Sequence, residues 1–170
     1  DGAAAVLLGS REWAETHSLT PLARVVDQRS AAVDFVHGGE GLLMAPAYAV
    51  PELLDAHGLT LQDIDYYEIH EAFAATVLAT LAAWESDEFC RERLGRDAAL
   101  GAIDRDRLNV HGSSLAAGHP FAATGGRIVA TLATVLHRRA REEGRTVRGL
   151  VSICAAGGQG TVALLESDGK

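Results

Sequence analysis

Two apolar runs near the end of the chain, Leu150–Cys154 and Thr161–Leu165, are separated only by the glycine-rich segment Ala155–Gly160. A link this short joins antiparallel strands, because parallel neighbours need a crossover of about a dozen residues or more. Upstream the pattern changes. Leu22–Ser30 and the β-former-rich Ile64–Ile69 alternate with helical stretches instead of pairing through turns. An antiparallel pair added to strands joined through helices makes a mixed sheet with helices packed on it. Ala3–Leu8 is a continuous apolar run and predicts one more strand, buried on both faces. The expectation is an α/β fold on a five-stranded mixed sheet, ordered β-α-β-α-β-α-β-β.

The helical stretches carry their own punctuation. Arg11–His17 predicts a short helix. Tyr48–His57 predicts another, with Pro51 near its start and Gly58 to end it. Thr60 and Asp63 resemble a capping box opening one helical turn. Phe73, Val77, Leu78, Leu81 and Trp84 share one helical face. Pro120 suits the first turn of a long helix whose stripe is Ile128, Val129, Leu132, Val135 and Leu136, ending before Gly144. Residues 85–107 are charged, contain Gly95 and Gly101, and predict a surface insertion with Cys90 exposed in it. No internal repeat or long linker divides residues 1–170, so they read as a single domain.

Composition narrows the class of protein. Hydrophobic residues are 48% and charged residues 22%, as in ordinary globular domains, while aromatics are only 5%, so the core must be aliphatic. A net charge of −8 and the lack of any Lys/Arg run argue against a nucleic-acid partner. Arg138, Arg139 and Arg141 fall near a helix end, where they oppose the negative end of its dipole. Two cysteines, Cys90 and Cys154, are too few for a disulfide framework. No apolar run approaches the ~18 residues needed to span a bilayer, and no signal peptide is visible. A soluble protein of a reducing compartment, the cytoplasm, is the expectation. The chain opens directly in a strand-like run and its one methionine is Met44, so the sequence predicts the second half of something longer.

Three segments place reactive side chains at the ends of strands or helices. His70 follows the strand Ile64–Ile69 and is expected to open the next helix, aimed into a cleft; the plainer role is a helix-capping histidine. His119 is fixed between Gly118 and Pro120 among small residues that permit close approach of a ligand. It can act as a base toward a thiol, or simply bind backbone in a turn. Cys154 ends a strand where the chain turns through Ala155-Ala156-Gly157-Gly158. Successive N–H groups of such a turn can cradle an anion, and a thiol can carry a proton to and from carbon. The plainer role is a small core hydrophobe. His70, His119 and Cys154 are also metal-ligand types, but their spacing is not that of a metal site and no metal is expected.

Together, Asp1-Gly2-Ala3-Ala4-Ala5, His70-Glu71-Ala72-Phe73, Gly118-His119-Pro120 and Cys154 followed by Gly157-Gly158-Gln159-Gly160 closely resemble the C-terminal domain of the thiolase superfamily. The resemblance spans nearly the whole chain. Most thiolases carry Asn where His70 stands. Histidine there, with Gly-His-Pro-Phe-Ala-Ala-Thr-Gly and the 85–106 insertion, is similar to the branch holding the trifunctional-enzyme β subunits and their bacterial relatives. The family usually has paired glycines where Gly112 and Ser113 stand, a departure expected to crowd the turn without abolishing activity.

The resemblance implies an acetyl-CoA C-acyltransferase that cleaves 3-ketoacyl-CoA with CoA to acetyl-CoA and a shortened acyl-CoA, or runs the reverse condensation. It implies that His119 activates a nucleophilic cysteine, that Cys154 exchanges the proton at carbon, and that His70 binds the thioester oxygen. The Ala156 N–H would join a second oxyanion hole, with Phe73 and Gly118 at the substrate. Coenzyme A is substrate and no cofactor is implied. The nucleophile would sit in an N-terminal half, which would be one partner. A homodimer or higher oligomer and a β-oxidation multienzyme partner would be others. Two further readings stay open. A decarboxylating ketosynthase shares the fold but pairs two histidines and lacks a second cysteine, so Cys154 favours thiolase. A non-catalytic thiolase-like subunit often loses the histidines, both of which are present.

Overall fold

In the computed structural model, which describes residues 1–170, helices alternate with strands until a closing hairpin. The elements are α1 (Arg11–Thr16), β1 (Arg24–Ala32), α2 (Ala45–Ala56), β2 (Tyr66–Ile69), α3 (Ala74–Glu85) and α4 (Asp87–Glu92), then α5 (Ser114–Ala117), α6 (Ala122–Glu143), β3 (Val147–Ala155) and β4 (Gln159–Ser167). The sheet order is β1-β4-β3-β2; β2 and β3 are parallel, and β4 is antiparallel to both β1 and β3. The sheet is mixed, as expected, but it has four strands rather than five.

The strand that does not form is Ala3–Leu8. Residues 1–10 adopt no regular structure, and Val6, Leu7 and Leu8 are 41%, 72% and 73% exposed. The run makes no ladder with β1 or β2, the two edge strands. Gly2 and Ala4 lie instead against Pro120 and Gly126, around the start of α6. Apolar character says that a segment favours burial; it does not say that its partner is in the same sheet.

Helix starts also shift. Pro46 takes the first turn of α2, so the helix begins at Ala45 and Pro51 falls inside it. The Thr60–Asp63 capping box holds, closing a single 3-10 turn over Leu61–Asp63. α3 begins at Ala74 with Phe73 as its N-cap, so His70 lies in the link after β2 and does not open a helix. α6 begins at Ala122, two residues beyond Pro120.

The sheet is covered on both faces. Alternation along β3 sends Leu150 to one side, with Val50, Leu53, Leu81 and Trp84 of α2 and α3, and Val147 and Val151 to the other, with Ile128, Leu132 and Leu136 of α6. Only Tyr67 and Trp84 among the aromatics are buried in these cores. The Trp84 indole donates to the Ala47 carbonyl at 3.2 Å, tying α3 to α2, and the Tyr67 hydroxyl donates to the Leu61 carbonyl.

Cys90 is not on the surface. It is fully buried, with its thiol 3.6 and 3.7 Å from the carbonyls of Ala83 and Trp84 at the end of α3. Ile103 is buried in the same segment and joins the α2/α3 core. The charged neighbours face out while these two side chains pin the segment down. Cys90 is therefore expected to resist a thiol reagent in the native chain and to react at full stoichiometry in denaturant; rapid native labelling at Cys90 would contradict this packing.

Candidate active site

The site forms where the parallel pair β2 and β3 ends, the edge at which α/β sheets place ligands. Ile69 is opposite Ser152, and the next residue, His70, donates its backbone N–H to the Ser152 carbonyl at 2.8 Å. That bond carries His70 one step past the strand at the level where β3 delivers Cys154. His70 and Cys154 line one small cavity, with Leu43, Pro46, Thr76 and Ser152 among its other walls.

His119 enters from the opposite side. Gly118 has φ +91°, and Phe121 has φ +31°, a value costly for a side-chain-bearing residue. These two turns bracket His119-Pro120 and fold the loop back over the sheet edge. The His119 and His70 rings stand 4.3 Å apart between centroids, tilted by 51°. Phe121 packs edge-on against His119 at 5.1 Å. His119 Nδ1 is 2.7 Å from Thr124 Oγ1 in the first turn of α6. In the tautomer that donates Nδ1–H to Thr124, Nε2 is free to accept a proton.

A polar frame holds the link that carries His70. Asn109 accepts from the Ile69 N–H at 2.9 Å and donates to the Ile69 carbonyl at 3.0 Å and to Glu71 at 2.8 Å. Glu71 in turn accepts from the Leu115 N–H at 3.0 Å. His70 Nδ1 meets Ser114 Oγ at 2.8 Å, and Ser114 also accepts from Arg127 at 3.0 Å. Burial pushes the His70 imidazole down to about 4, with the His119 and Arg127 charges acting the same way. His70 is thus neutral at pH 7. Burial also pushes the Cys154 thiol up.

The turn after Cys154 is built on glycine. At Gly158, φ is +74° and an added Cβ would come within 2.5 Å of the Val33 carbonyl oxygen. The Ala156 N–H, at the head of this exposed turn, has no acceptor within it.

Of the sequence-predicted residues, His70, His119 and Cys154 gather at one sheet edge, with Gly118 and Ala156 on the loops beside them. Phe73 is 64% exposed at the start of α3 and packs into no wall of the cavity. No group of three His, Cys, Asp or Glu side chains stands in a metal-holding arrangement. Sequence reasoning missed Ser114, Thr124, Asn109 and Arg127, and gave Glu71 no role. The available signals were slight: a cation, Arg127, just before the apolar stripe of α6, and an acid, Glu68, inside an otherwise apolar strand. No helix is long and apolar enough to cross a membrane.

Comparison with known proteins gives a consistent answer. The family model described as "Thiolase, C-terminal domain" matches residues 19–167. The 3-ketoacyl-CoA thiolase of Alteromonas mediterranea is 45% identical over 168 residues, covering 99% of this chain and 37% of that protein. The probable 3-ketoacyl-CoA thiolase of Caenorhabditis elegans is 44% identical over 170 residues, covering 100% of this chain and 36% of that one. The chain thus spans little more than a third of the length of these relatives. A thiolase from Ascaris suum, solved in complex with coenzyme A, superposes with a TM-score of 0.67 at 32% identity, over 93% of this chain and 34% of that one. By the match over residues 19–167, on a fold whose histidines and cysteine meet at the sheet edge, this chain belongs to the thiolase family.

Proposed function

We propose that this chain is the C-terminal domain of a 3-ketoacyl-CoA thiolase and supplies its acid–base groups. The observation that carries the reading is that His70, just past β2, stands against the His119 ring and shares one cavity with Cys154 of β3. In the cleavage direction a cysteine of the N-terminal half attacks the 3-keto carbon, and His119 takes its proton. The bond between Cα and Cβ breaks. Cys154 gives its proton to the departing acetyl-CoA carbanion, and the acyl group stays on the nucleophile as a thioester. His70 holds the thioester oxygen on which enolate charge develops, and the Ala156 N–H stabilises the acyl-transfer oxyanion. CoA thiol then attacks the acyl-enzyme and returns a proton to Cys154. The nucleophile leaves as thiolate and recovers its proton from His119.

A neutral His70 can donate a hydrogen bond to an enolate, and a protonated Cys154 is the form needed to quench a carbanion. The relatives' names support 3-ketoacyl-CoA as substrate, and the coenzyme A complex of the Ascaris suum thiolase supports CoA as its co-substrate. A cytoplasmic homodimer or higher oligomer serving fatty-acid β-oxidation, with a multienzyme partner, completes the reading.

Two assays test it. The full-length protein carrying this chain should convert acetoacetyl-CoA and CoA to acetyl-CoA. The chain alone should not, because Cys90 is buried and Cys154 is the acid rather than the nucleophile. Turnover by the isolated chain would overturn the division of labour. A milder effect is expected at Thr124: Thr124→Val in the full-length protein removes the hydroxyl that orients His119 and should lower kcat about fivefold to tenfold with KM nearly unchanged, a loss of one hydrogen bond's worth. An unchanged kcat would remove Thr124 from the mechanism.

A further inference from the structure

Every hydrogen-bonding partner of His70 Nδ1 is accounted for, and together they decide where its proton sits. Ser114 Oγ is 2.8 Å from Nδ1 and 3.0 Å from Arg127 Nη2. Ser114 is 5% exposed, at the first residue of α5. A guanidinium donates and never accepts. Arg127 therefore gives an N–H to Ser114, and the serine's own proton has one acceptor in reach, Nδ1 of His70. We infer that Arg127, acting through Ser114, locks His70 in the tautomer that carries its proton on Nε2, so that the imidazole meets its ligand as a donor.

The alternatives fail on the same geometry. With the proton on Nδ1, Ser114 would receive two donors and its own buried proton would have no acceptor, the arrangement that costs most in a low-dielectric site. A charged His70 has the same defect, and burial beside His119 and Arg127 already disfavours it. His119 is the instructive contrast. Its Nδ1 meets Thr124 Oγ1 alone, and no cation stands behind the threonine to fix the direction of that bond. One histidine is thus wired as a donor, and the other keeps the freedom an acid–base group needs. Arg127 and Ser114 are positioning residues that act through His70. Behind them Glu68, 1% exposed on β2, feels the Arg127 charge.

This inference rests on the proposed role of His70 as the donor to an enolate oxygen, but its test does not need activity. In the chain with 15N-labelled histidine, long-range 1H–15N correlation at pH 7 should show His70 protonated on Nε2 and bare on Nδ1. A proton on Nδ1, or rapid averaging between tautomers, overturns the inference. Ser114→Ala should bring in the second tautomer, and Ser114→Thr should restore the single form. A spectrum unchanged in Ser114→Ala removes Ser114 from the relay; should that variant not fold, the wild-type spectrum still decides. In the full-length protein Ser114→Ala should lower kcat about tenfold with KM within about twofold, and Ser114→Thr should rescue it. A protein with the Nε2–H tautomer but no thiolysis would refute the proposed function and leave the relay standing.

Discussion

In the full-length protein, Cys154→Ala is expected to leave acylation of the nucleophile intact while lowering carbon–carbon bond formation by about 10²–10⁴-fold, the range of a positioned acid or base. The two half-reactions ask different things of the site. Acyl transfer from a simple acyl-CoA needs a thiolate and an oxyanion hole, tasks that the proposed function gives to His119 and the turn backbone. Condensation also needs a proton removed from the methyl carbon of acetyl-CoA, and cleavage needs that proton returned. Cys154 is the one cysteine of this chain in the cavity with His70, and burial holds its thiol protonated at neutral pH. Mass spectrometry of the acyl-enzyme formed from acyl-CoA reads the first half, and acetoacetyl-CoA formation reads the second. Condensation at the wild-type rate in Cys154→Ala would remove the acid–base role. Loss of acylation with the fold retained would move Cys154 into the nucleophilic step instead.

The sequence shows the mixed sheet because its connections have different lengths. A six-residue glycine-rich link allows only a hairpin, and the long helical connection between β2 and β3 allows a parallel pair. It shows His70, His119 and Cys154 because each is a reactive side chain at the end of a regular element, within motifs shared across a family. It does not show Ser114, Thr124 or Arg127. They bond to histidines 44, 5 and, through Ser114, 57 positions away in the chain, and nothing in local pattern marks a serine for a distant imidazole. Two errors have one cause. Ala3–Leu8 was expected inside because it is apolar, and Cys90 outside because its neighbours are charged. Local polarity sets the tendency to bury, whereas tertiary contacts decide which residue does. Leu7 has no partner here, and Cys90 is caught under the end of α3.

Between pH 5 and pH 8, Glu68→Gln is expected to gain stability over wild type by about 3 kcal/mol, which for a chain of this size raises the difference in Tm by roughly 6–12 °C. Glu68 sits in the middle of β2, facing α6, with Oε2 lacking a hydrogen-bond partner. Burial pushes its carboxyl from 4.5 up to about 7, against the pull of Arg127 and with a smaller push from Glu71. The folded chain then binds this proton more tightly than the unfolded chain does. The stabilisation is complete below pH 4.5 and is lost as pH rises through 7. His70 runs the other way. Its folded value of about 4 lies below the ordinary 6.5, so its stabilisation is present above 6.5 and lost as pH falls toward 4. The two slopes oppose each other from pH 4.5 to 6.5, which hides both in the wild-type profile. Glutamine keeps the shape but never ionises, so the variant-minus-wild-type difference isolates the Glu68 charge. Thermal melts of both chains at pH 5 and pH 8 read that difference directly. A difference that stays flat across this range would mean that the carboxyl is already ionised at pH 5, with the Arg127 charge offsetting the cost of its burial.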